Sequence, residues 1–275
     1  MSGGQTNARA GLVSRRKTSG MWSFPVQLLR ALGWDLRKTV NAVRGIPYFL
    51  RDAKRYRGSA GNGALVLESA NLVPMLHDRF DTAGDARGHY FFQDIWAARK
   101  IYGRRPERHV DIGSRVDGFI AHLLVFMPVE IVDVRALPSI MPEISFVQDD
   151  ATKLMQFADN SLDSISSLHA AEHFGLGRYG DPIAPTAHLE FMASLVRVLK
   201  PGGRLYFAVP VGRERLEFNA HRVLSPHSVL SAFSALTLVS FAAVGDDGLF
   251  YGDCAPGEVA DACYACGLFE FTKSG

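Results

Sequence analysis

In the second half of the chain, short apolar runs alternate with stretches long enough to form a helix. The apolar runs are 108–112, 129–134, 144–148, 162–168 and 203–209, and helices fit at 89–102, 117–126 and 187–199. Strands that alternate with helices indicate a parallel sheet covered by helices. Two closing apolar runs, Leu236–Val244 and Tyr264–Phe271, suit an antiparallel pair at the sheet edge. The pattern predicts a three-layer, doubly wound α/β domain over residues 109–275, with a mostly parallel seven-stranded sheet.

The N-terminal region follows a different pattern. Residues 1–20 are rich in Gly, Ser, Thr and Arg, and we expect them to be disordered. Short amphipathic helices follow: Gly33 ends the first, Asp35 caps a second that closes at Gly45, and Pro47 begins a third. These pieces predict a helical arm in front of the α/β domain.

A Gly-rich stretch at 58–63 indicates a hinge after these helices. We therefore divide the chain into a basic arm at 1–60, a helical lead-in at 61–108 and the α/β domain at 109–275. Residues 1–58 hold twelve Lys and Arg against two Asp, a net charge of +10, whereas the rest of the chain carries −8.

This charge distribution indicates which partners the chain could bind. An acidic body argues against nucleic acid as a partner, and we expect none. The helices at 21–57 suit an anionic membrane surface or an acidic protein partner; alternatively, they pair with the acidic body of the same chain.

Composition excludes several classes of protein. Apolar residues make up 47% and charged residues 21%, as in ordinary globular proteins. Three cysteines are too few for a disulfide scaffold and indicate reduced thiols. No apolar run approaches the length of a membrane span, and Arg30 interrupts the stretch that would serve as a signal peptide. We expect a cytoplasmic protein, with peripheral attachment to the inner membrane face left open.

Candidate cofactor ligands follow the first three predicted strands. They are Asp111, Gly113, Ser114 and Arg115 after the first strand, Asp133 after the second, and Asp150 with Ala151 after the third. A strand, a Gly turn and a helix start form the place where open α/β sheets bind a nucleotide. A carboxylate at Asp133 suits ribose hydroxyls, and one at Asp150 suits the amino edge of an adenine.

The charges favour one adenosine cofactor over another. A dinucleotide needs G-x-G-x-x-G, so that bare backbone meets its pyrophosphate, but Arg115 stands where the second Gly belongs. Asp111 and Asp117 would also lie close to those phosphates. S-adenosylmethionine carries no phosphate, and its ammonium and sulfonium groups favour nearby carboxylates. The pattern therefore predicts S-adenosylmethionine, and no metal, as the cofactor.

Two later segments carry a family resemblance. Phe157–His173 and Val198–Phe207, the second containing Leu-Lys-Pro-Gly-Gly, resemble the fourth- and fifth-strand motifs of class I S-adenosylmethionine-dependent methyltransferases. The resemblance covers roughly residues 89–271. It implies that Asp111 and Gly113 hold the methionine end of the cofactor and that His169 lies beside the methyl-bearing sulfur.

A narrower resemblance is to the domain-of-unknown-function 268 family, a methyltransferase-like group. Four segments carry it: His109–Phe119, the loop Gly175–Pro182, the run Phe218–Arg222 and the ending Cys266–Phe271. Arg115 and Asp117 are also features of this family. Its members often carry a basic N-terminal arm.

Histidines are the candidates for proton removal from a methyl acceptor, since their ordinary pKa lies near neutrality. We predict His173 or His221 as the base and His169 on the cofactor side, although each would serve equally well as a structural histidine. Candidate substrate ligands are Arg178, Tyr179, Asn219 and Arg222; alternatively, Arg178 braces its loop through Asp181. Gln93 and Asp94, in the helix before the first strand, either cover the cofactor or are solvated.

Two motifs offer rival functions. His169-Ala-Ala-Glu-His173 spells H-x-x-E-H, a zinc-hydrolase signature that needs both histidines on one helix, whereas this run follows a strand. Cys263-x-x-Cys266, with Cys254, makes three candidate metal ligands without a clear fourth, so we interpret them as packed residues of the closing hairpin.

The function that these observations predict is methyl transfer from S-adenosylmethionine to oxygen of a small-molecule or glycan-type acceptor. The glycan part rests on analogy alone. The alternative from another class is a methyltransferase-like fold without activity that serves as a binding or assembly protein, and Arg115 and the basic arm motivate it.

Overall fold

The computed structural model describes residues 11–13, 24–61, 63–138 and 141–275. The chain divides into two compact units. One is formed by the described parts of Met1–Arg16 together with Ala86–Gly275, and we call it the α/β unit. The other is formed by the described parts of Lys17–Asp85, and we call it the helical unit.

An eight-stranded sheet with the order β3-β2-β1-β4-β5-β10-β8-β9 forms the centre of the α/β unit. The strands are β1 (Val110–Ile112), β2 (Val129–Asp133), β3 (Ile144–Gln148), β4 (Leu162–Leu168), β5 (Leu199–Val211), β6 (Arg215–Glu217), β7 (His221–Val223), β8 (Leu236–Val244), β9 (Phe250–Tyr251) and β10 (Ala265–Lys273). Pairing is parallel from β3 to β5, and β10 pairs antiparallel with both β5 and β8. The predicted fold class is confirmed, with β9 as an additional short edge strand.

The sheet has a hydrophobic layer on each face, and the period-2 alternation of its strands explains both. In β5, Leu205, Phe207 and Val209 belong to one core cluster, whereas Tyr206 and Ala208 belong to the other. All five side chains are fully buried. Because successive side chains of a strand point to opposite faces, a strand this apolar requires a cover on both sides.

Helices supply the two covers. They are α3 (His89–Arg104), α4 (Ala121–Leu123, which continues a π-helical turn Val116–Ile120), α5 (Ala187–Val198) and α6 (Pro226–Ala232). Trp96 and Ile101 of α3 pack in one cluster, and Phe191 and Leu195 of α5 pack in the other. The helix predicted at 117–126 is shorter than expected and begins as this π-helical turn. A two-stranded hairpin, β6–β7, lies outside the main sheet and was not predicted.

Leu12 belongs to the core of the α/β unit. It is 2% exposed, and its carbonyl accepts from the Asp246 backbone N–H at 3.4 Å. The Asp247 backbone N–H donates to the carbonyl of Gly11 at 3.3 Å. The expectation of disorder throughout 1–20 is therefore wrong for residues 11–13, because a buried leucine fixes them. For the rest of 1–20 it falls outside the described residues.

The helical unit consists of α1 (Phe24–Ala31), α2 (Leu36–Ser59) and irregular chain with 3₁₀ turns at Ser69–Asn71 and Asp78–Phe80. The predicted cap is confirmed: Asp35 Oδ1 accepts from the Lys38 backbone N–H at 3.0 Å. The predicted break between Gly45 and Pro47 is wrong, since α2 runs through both.

A close contact explains why Gly45 lies inside the helix. A Cβ there would come within 1.9 Å of the Leu76 carbonyl oxygen, so the glycine permits the two backbones of the helical unit to touch. Within the described residues, no helix has the combination of length and hydrophobicity that a transmembrane segment requires.

Candidate functional site

Two adjoining cavities lie at the carboxyl ends of β1, β2 and β4. The first cavity, of about 350 Å³, extends over the ends of β1 to β3, and the second, of about 540 Å³, extends toward β7. Residues that line both are Gly113, Asp133, Arg135, His169, His173 and Tyr179. The carboxyl edge of an open parallel sheet is the usual ligand site of such folds, and these volumes suit small molecules.

The first cavity brings together most of the predicted cofactor residues. Gly113, Asp133, Asp150, Ala151 and His169 all line it, and its remaining walls are largely apolar. Gly113 has a φ of +73°, and a Cβ there would lie 2.9 Å from the Ala170 Cβ. Glycine therefore permits both the turn after β1 and the open floor of the cavity.

Asp111 lies behind this turn and lines neither cavity. Its carboxylate accepts from the Ser114 backbone N–H at 3.0 Å, from Ser114 Oγ at 2.6 Å and from Ser166 Oγ at 2.5 Å. Complete burial raises the pKa of Asp111 to about 6. The structure therefore shows Asp111 holding the turn in shape, whereas the sequence suggested direct contact with the cofactor.

Arg135 forms a bidentate ion pair with the carboxylate of Asp133. Asp133 Oδ1 accepts from the Arg135 backbone N–H and Nε at 2.8 and 3.0 Å, and Oδ2 accepts from the guanidinium at 2.8 Å. The guanidinium carbon also lies 4.5 Å from the centre of the Tyr179 ring. Sequence reasoning missed Arg135, because an arginine two residues after a strand is not a recognised signal.

The other predicted cofactor residues have local partners. Asp150 Oδ1 accepts from the backbone N–H and hydroxyl of Thr152 at 2.9 and 2.7 Å, which forms the turn after β3. Ser114 and Arg115 line the second cavity. Arg115 donates to the Asp117 carboxylate at 3.1 and 3.0 Å, and its guanidinium carbon lies 4.9 Å from the centre of the Tyr90 ring. Arg115 is thus paired with a carboxylate inside its own motif.

Glu172 lines the second cavity, and the sequence analysis did not propose it for methyl transfer. It is 1% exposed, and neither carboxyl oxygen has a hydrogen-bond partner among the described residues. Burial raises its pKa to about 8. A carboxyl group that lines a cavity without partners is unusual, since buried polar groups are normally hydrogen-bonded. The H-x-x-E-H run contains this residue, but that motif indicates zinc chemistry.

His173 is adjacent to this carboxyl group. Its Nδ1 lies 2.7 Å from the Ala220 carbonyl oxygen and 3.2 Å from Arg178 Nη1. Because the shorter contact is to a carbonyl, which only accepts, we assign the proton to Nδ1, and Nε2 is then an acceptor 3.6 Å from Glu172 Oε1. Burial lowers the pKa of His173 to about 4, and the Arg178 charge acts in the same direction. The ring is therefore neutral at pH 7 and only weakly basic.

His221 and His169 complete the set of predicted histidines. His221 lines the second cavity, its Nε2 lies 3.3 Å from Glu217 Oε2, and burial lowers its pKa. His169 lines both cavities, has a φ of +54°, and burial lowers its pKa well below the ordinary value. His169 follows β4, whereas His173 ends a 3₁₀ turn, so the two do not share a helix as the zinc-hydrolase signature requires.

The predicted substrate residues divide into two groups. Arg178 and Tyr179 line the second cavity, and Arg178 donates to the Ala220 carbonyl at 2.8 Å. Arg222 is 7% exposed and donates to the carbonyls of Glu172, Phe174 and Pro185 at 3.3, 2.7 and 3.1 Å, so it braces the loop after β4. Asn219, in the β6–β7 turn, and Arg222 line neither cavity.

Asp181 braces the loop that follows β4. Its carboxylate accepts from the backbone N–H groups of Gly175, Gly177 and Tyr179 at 2.8, 3.3 and 3.1 Å. Arg178 does not take part in this arrangement. The sequence suggested that Arg178 braces this loop by pairing with Asp181, but backbone N–H groups pair with Asp181 instead.

The cysteine motif does not form a single site. Cys263 Sγ accepts from the Arg213 guanidinium at 3.5 Å, whereas Cys266 is fully buried with its sulfur 3.9 Å from His169 Nδ1. Cys266 is packed in the core as predicted, but its sulfur also has a polar neighbour, the His169 ring.

Comparison with known proteins adds a family match. The profile of a family described as "Caenorhabditis protein of unknown function, DUF268" matches residues 130–242. The predicted resemblance is confirmed. No curated protein matches the chain.

Several solved structures are similar to the chain. A 1,6-didemethyltoxoflavin-N1-methyltransferase from Burkholderia thailandensis, with bound 1,6-didemethyltoxoflavin and S-adenosylhomocysteine, is 18% identical, with a TM-score of 0.47 over 78% of this chain and 95% of that chain. The N-methyltransferase NodS from Bradyrhizobium japonicum is 16% identical, with a TM-score of 0.43 over 82% and 99%. SpnF, a [4+2]-cyclase, is 14% identical, with a TM-score of 0.49 over 87% and 97%.

Proposed function

We propose that this protein is an S-adenosylmethionine-dependent methyltransferase that acts on a hydroxyl group of a small, glycan-type acceptor. The observation that carries the proposal is the first cavity, where Gly113, Asp133 and Asp150 line one space of about 350 Å³. These residues occupy the ends of three adjacent parallel strands, the position in which an adenosyl group would be held.

The residues of the first cavity fit this cofactor by chemistry and by shape. Apolar walls such as Ile112, Val132 and Phe174 suit the faces of an adenine, and Asp150 suits its amino group. Asp133 suits the ribose hydroxyls. S-adenosylmethionine, when bound, supplies an electrophilic methyl group.

The second cavity supports an acceptor rich in hydroxyl groups. It adjoins the first at His169 and His173, and the rings of Tyr90, Tyr179 and Tyr264 line it. Aromatic rings suit the apolar faces of a sugar, and the surrounding polar groups suit its hydroxyls. The charges of Arg115 and Asp117 offset each other at its rim.

We assign the role of base to Glu172 and a positioning role to His173. Glu172 takes up the proton that the acceptor hydroxyl loses, because a carboxylate with a pKa near 8 is a stronger base than an imidazole with a pKa near 4. His173 Nε2, 3.6 Å away, accepts a hydrogen bond from the acceptor or from protonated Glu172 once either moves closer. His221 lines the same cavity and orients the acceptor.

Calorimetry tests the cofactor assignment. We expect S-adenosylhomocysteine to bind with one-to-one stoichiometry and S-adenosylmethionine to raise the melting temperature of the full chain. Gly113→Val, whose side chain would enter the cofactor cavity, should abolish both effects, whereas Gly257→Ala, a substitution into open space, should leave them unchanged. Absence of heat and of a thermal shift at millimolar cofactor would contradict the proposal.

One observation favours the alternative of a binding protein without activity. Arg135 already donates to both oxygens of Asp133, so ribose hydroxyls would have to share that carboxylate with a bidentate ion pair. In that alternative the first cavity takes no adenosyl ligand and the second binds its partner molecule unchanged. Comparison of the wild type with Arg135→Ala separates the two functions: cofactor binding by both supports the methyltransferase, whereas binding by the variant alone supports the binding protein.

The basic arm supports a second, separate proposal, attachment to an anionic membrane. In α2, Leu36, Val40 and Val43 are 77%, 47% and 62% exposed, and basic residues lie on the same helix. A helix with exposed apolar side chains and many Lys and Arg residues suits the interface of an anionic bilayer.

A further inference from the structure

Two histidines of the α/β unit, His89 and His169, face each other, and their other hydrogen-bond partners assign which ring nitrogen carries the proton. His89 Nε2 lies 3.2 Å from the backbone carbonyl oxygen of Tyr264, and a carbonyl only accepts, so His89 Nε2 carries the proton. In a neutral ring, the other nitrogen of His89, Nδ1, then has only a lone pair.

The same reasoning applies to His169. Its Nδ1 lies 2.6 Å from Gln93 Oε1, and the orientation of that amide is set because Gln93 Nε2 donates to Asp94 Oδ1 at 3.1 Å. Gln93 Oε1 is therefore an acceptor, and His169 Nδ1 carries the proton. His169 Nε2 is left with a lone pair.

The two lone pairs point at each other. His89 Nδ1 and His169 Nε2 are 3.1 Å apart, which is hydrogen-bond distance, yet neither neutral ring has a proton to place between them. Two acceptors at this distance repel unless a positive charge lies between them. That charge is either an additional proton shared by the rings or a metal cation.

A third ligand favours the metal. Ligand atoms of His89, His169 and Cys266 all lie within 4.8 Å of one another, and Cys266 is fully buried with its sulfur against the His169 ring, 3.9 Å from Nδ1. A shared proton needs no thiol, whereas Zn²⁺ and similar ions bind imidazole and thiolate together. Two nitrogens on one tetrahedral zinc ion are about 3.3 Å apart, close to the observed separation.

We propose that His89, His169 and Cys266 form a binding site for a divalent metal of the zinc class. The ligands come from three places in the fold: the first residue of α3, the residue after β4, and β10. Each imidazole donates its other N–H to a fixed oxygen, Gln93 Oε1 or the Tyr264 carbonyl, as the histidine ligands of metal sites usually do.

This site differs from the zinc site that the H-x-x-E-H run suggests. His169 belongs to both, but Glu172 and His173 are not ligands of the site proposed here. Three protein ligands leave one coordination position open for water or another small ligand. His169 also lines both cavities, but metal binding is measured without cofactor or acceptor, so the two proposals fail separately.

Cobalt binding to the full chain tests the site. The protein is purified without a histidine tag, freed of metal with a chelator and titrated with Co²⁺, whose absorption reports tetrahedral geometry and thiolate coordination. We expect saturation at one equivalent, a thiolate-to-cobalt band, and displacement by Zn²⁺. Cys266→Ser should remove the band, and His89→Ala should weaken binding at least tenfold. The control Cys263→Ser, three residues from the ligand, should change neither result.

Two results of the cobalt titration would overturn the proposal. One is the absence of stoichiometric binding of Co²⁺ or Zn²⁺; the other is a thiolate band that survives Cys266→Ser. If these variants do not fold, nitrogen NMR of the wild-type imidazoles decides, since Zn²⁺ should shift the resonances of His89 and His169. Resonances of a proton-sharing pair that Zn²⁺ leaves unchanged would also overturn it. No cofactor is used in these measurements, so their outcome does not depend on methyltransferase activity.

Discussion

Burial acts in opposite directions on the two ionisable neighbours Glu172 and His173. It raises the pKa of the carboxyl group to about 8 and lowers that of the imidazole to about 4, because both groups are driven toward their neutral forms. At neutral pH the pair is therefore mostly uncharged, and its reactivity depends on the fraction of Glu172 that ionises.

Replacing Glu172 by Gln should abolish most of the activity. Loss of a general base costs about 10²–10⁴-fold in rate. We expect a fall of that order in kcat, with the affinity for S-adenosylhomocysteine unchanged, measured with an acceptor found by substrate screening. Glu143→Gln, at an exposed position, is the control and should retain full activity. Activity retained in Glu172→Gln would exclude Glu172 as the base.

The pKa of Glu172 also predicts two pH dependences. Because the base must be ionised, the wild-type rate should rise with pH and level off above about 8. Stability should show the opposite trend. In the folded protein the pKa of this carboxyl group is about 8, whereas in the unfolded chain it is 4.5. As the pH rises from 4.5 to about 8, the free energy of unfolding of the wild type should therefore fall relative to that of Glu172→Gln. Urea unfolding at several pH values measures this difference.

The Asp133–Arg135 pair offers a second test at the same scale. Arg135→Ala frees both carboxylate oxygens, so S-adenosylhomocysteine should bind several-fold more tightly. Asp133→Asn should weaken binding about 10-fold or more, as expected for hydrogen bonds to a charged group. Calorimetry measures both changes. Equal affinities for the wild type and both variants would mean that Asp133 does not contact the cofactor.

Position along the chain predicted only part of the lining of the first cavity, because Asp111, Ser114 and Arg115 do not line it. The apolar runs mark where the parallel strands end, so Gly113, Asp133 and Asp150 could be assigned to one edge of the sheet. The burial of Asp111 depends on Ser166, a residue of a neighbouring strand, and a single sequence does not reveal that contact. Glu172 was overlooked for the same reason, since its isolation depends on packing.

At the scale of elements, α2 shows how tertiary contact overrides a local signal. Glycine followed closely by proline ordinarily marks the end of a helix. Here Gly45 lies against the Leu76 backbone, and the helix continues past Pro47. The boundaries of β3, β4 and β8 were predicted correctly, because apolar runs bounded by turn residues determine them locally. The short strands β6, β7 and β9 have too few residues to produce a pattern.

The exposed apolar side chains of α2 lead to a prediction for membrane binding. The double variant Val40→Asp/Val43→Asp should bind anionic vesicles at least 10-fold more weakly than the wild type, because it places charge where acyl chains would be met. Co-sedimentation with phosphatidylserine vesicles measures this, and neutral vesicles should bind weakly in both cases. Val125→Asp is the matched control, since Val125 is 85% exposed in the α/β unit. Unchanged binding by the double variant would contradict membrane docking through this helix.

For the whole molecule, the parallel pairing from β3 to β5 follows from the alternation of helix and strand, which is visible in the sequence. The contribution of Leu12 is not, because the residues around it resemble a linker. One leucine among small and polar residues carries no periodic signal, and its burial depends on the loop at Asp246 and Asp247, more than 230 residues later.

Truncation of Leu12 should destabilise the α/β unit. Leu12→Ala removes a side chain that is 2% exposed in the core, and such changes cost about 2–5 kcal/mol. The free energy of unfolding from urea titration should fall by that amount. Leu28→Ala, at a position that is 48% exposed, should change it by less than about 0.5 kcal/mol. Equal stability of the two variants would show that Leu12 does not support the core.

The burial of Leu12 in the α/β unit also determines how the helical unit is connected along the chain. Because chain on both sides of Lys17–Asp85 belongs to the α/β unit, this unit is an insertion and not an appendage. Deleting residues 1–58 would therefore remove part of the core together with the basic helices, and any loss of function would have two causes. Excising 24–85 and joining the ends with a flexible Gly/Ser linker keeps Leu12, and we expect only this internal deletion to preserve the stability of the α/β unit.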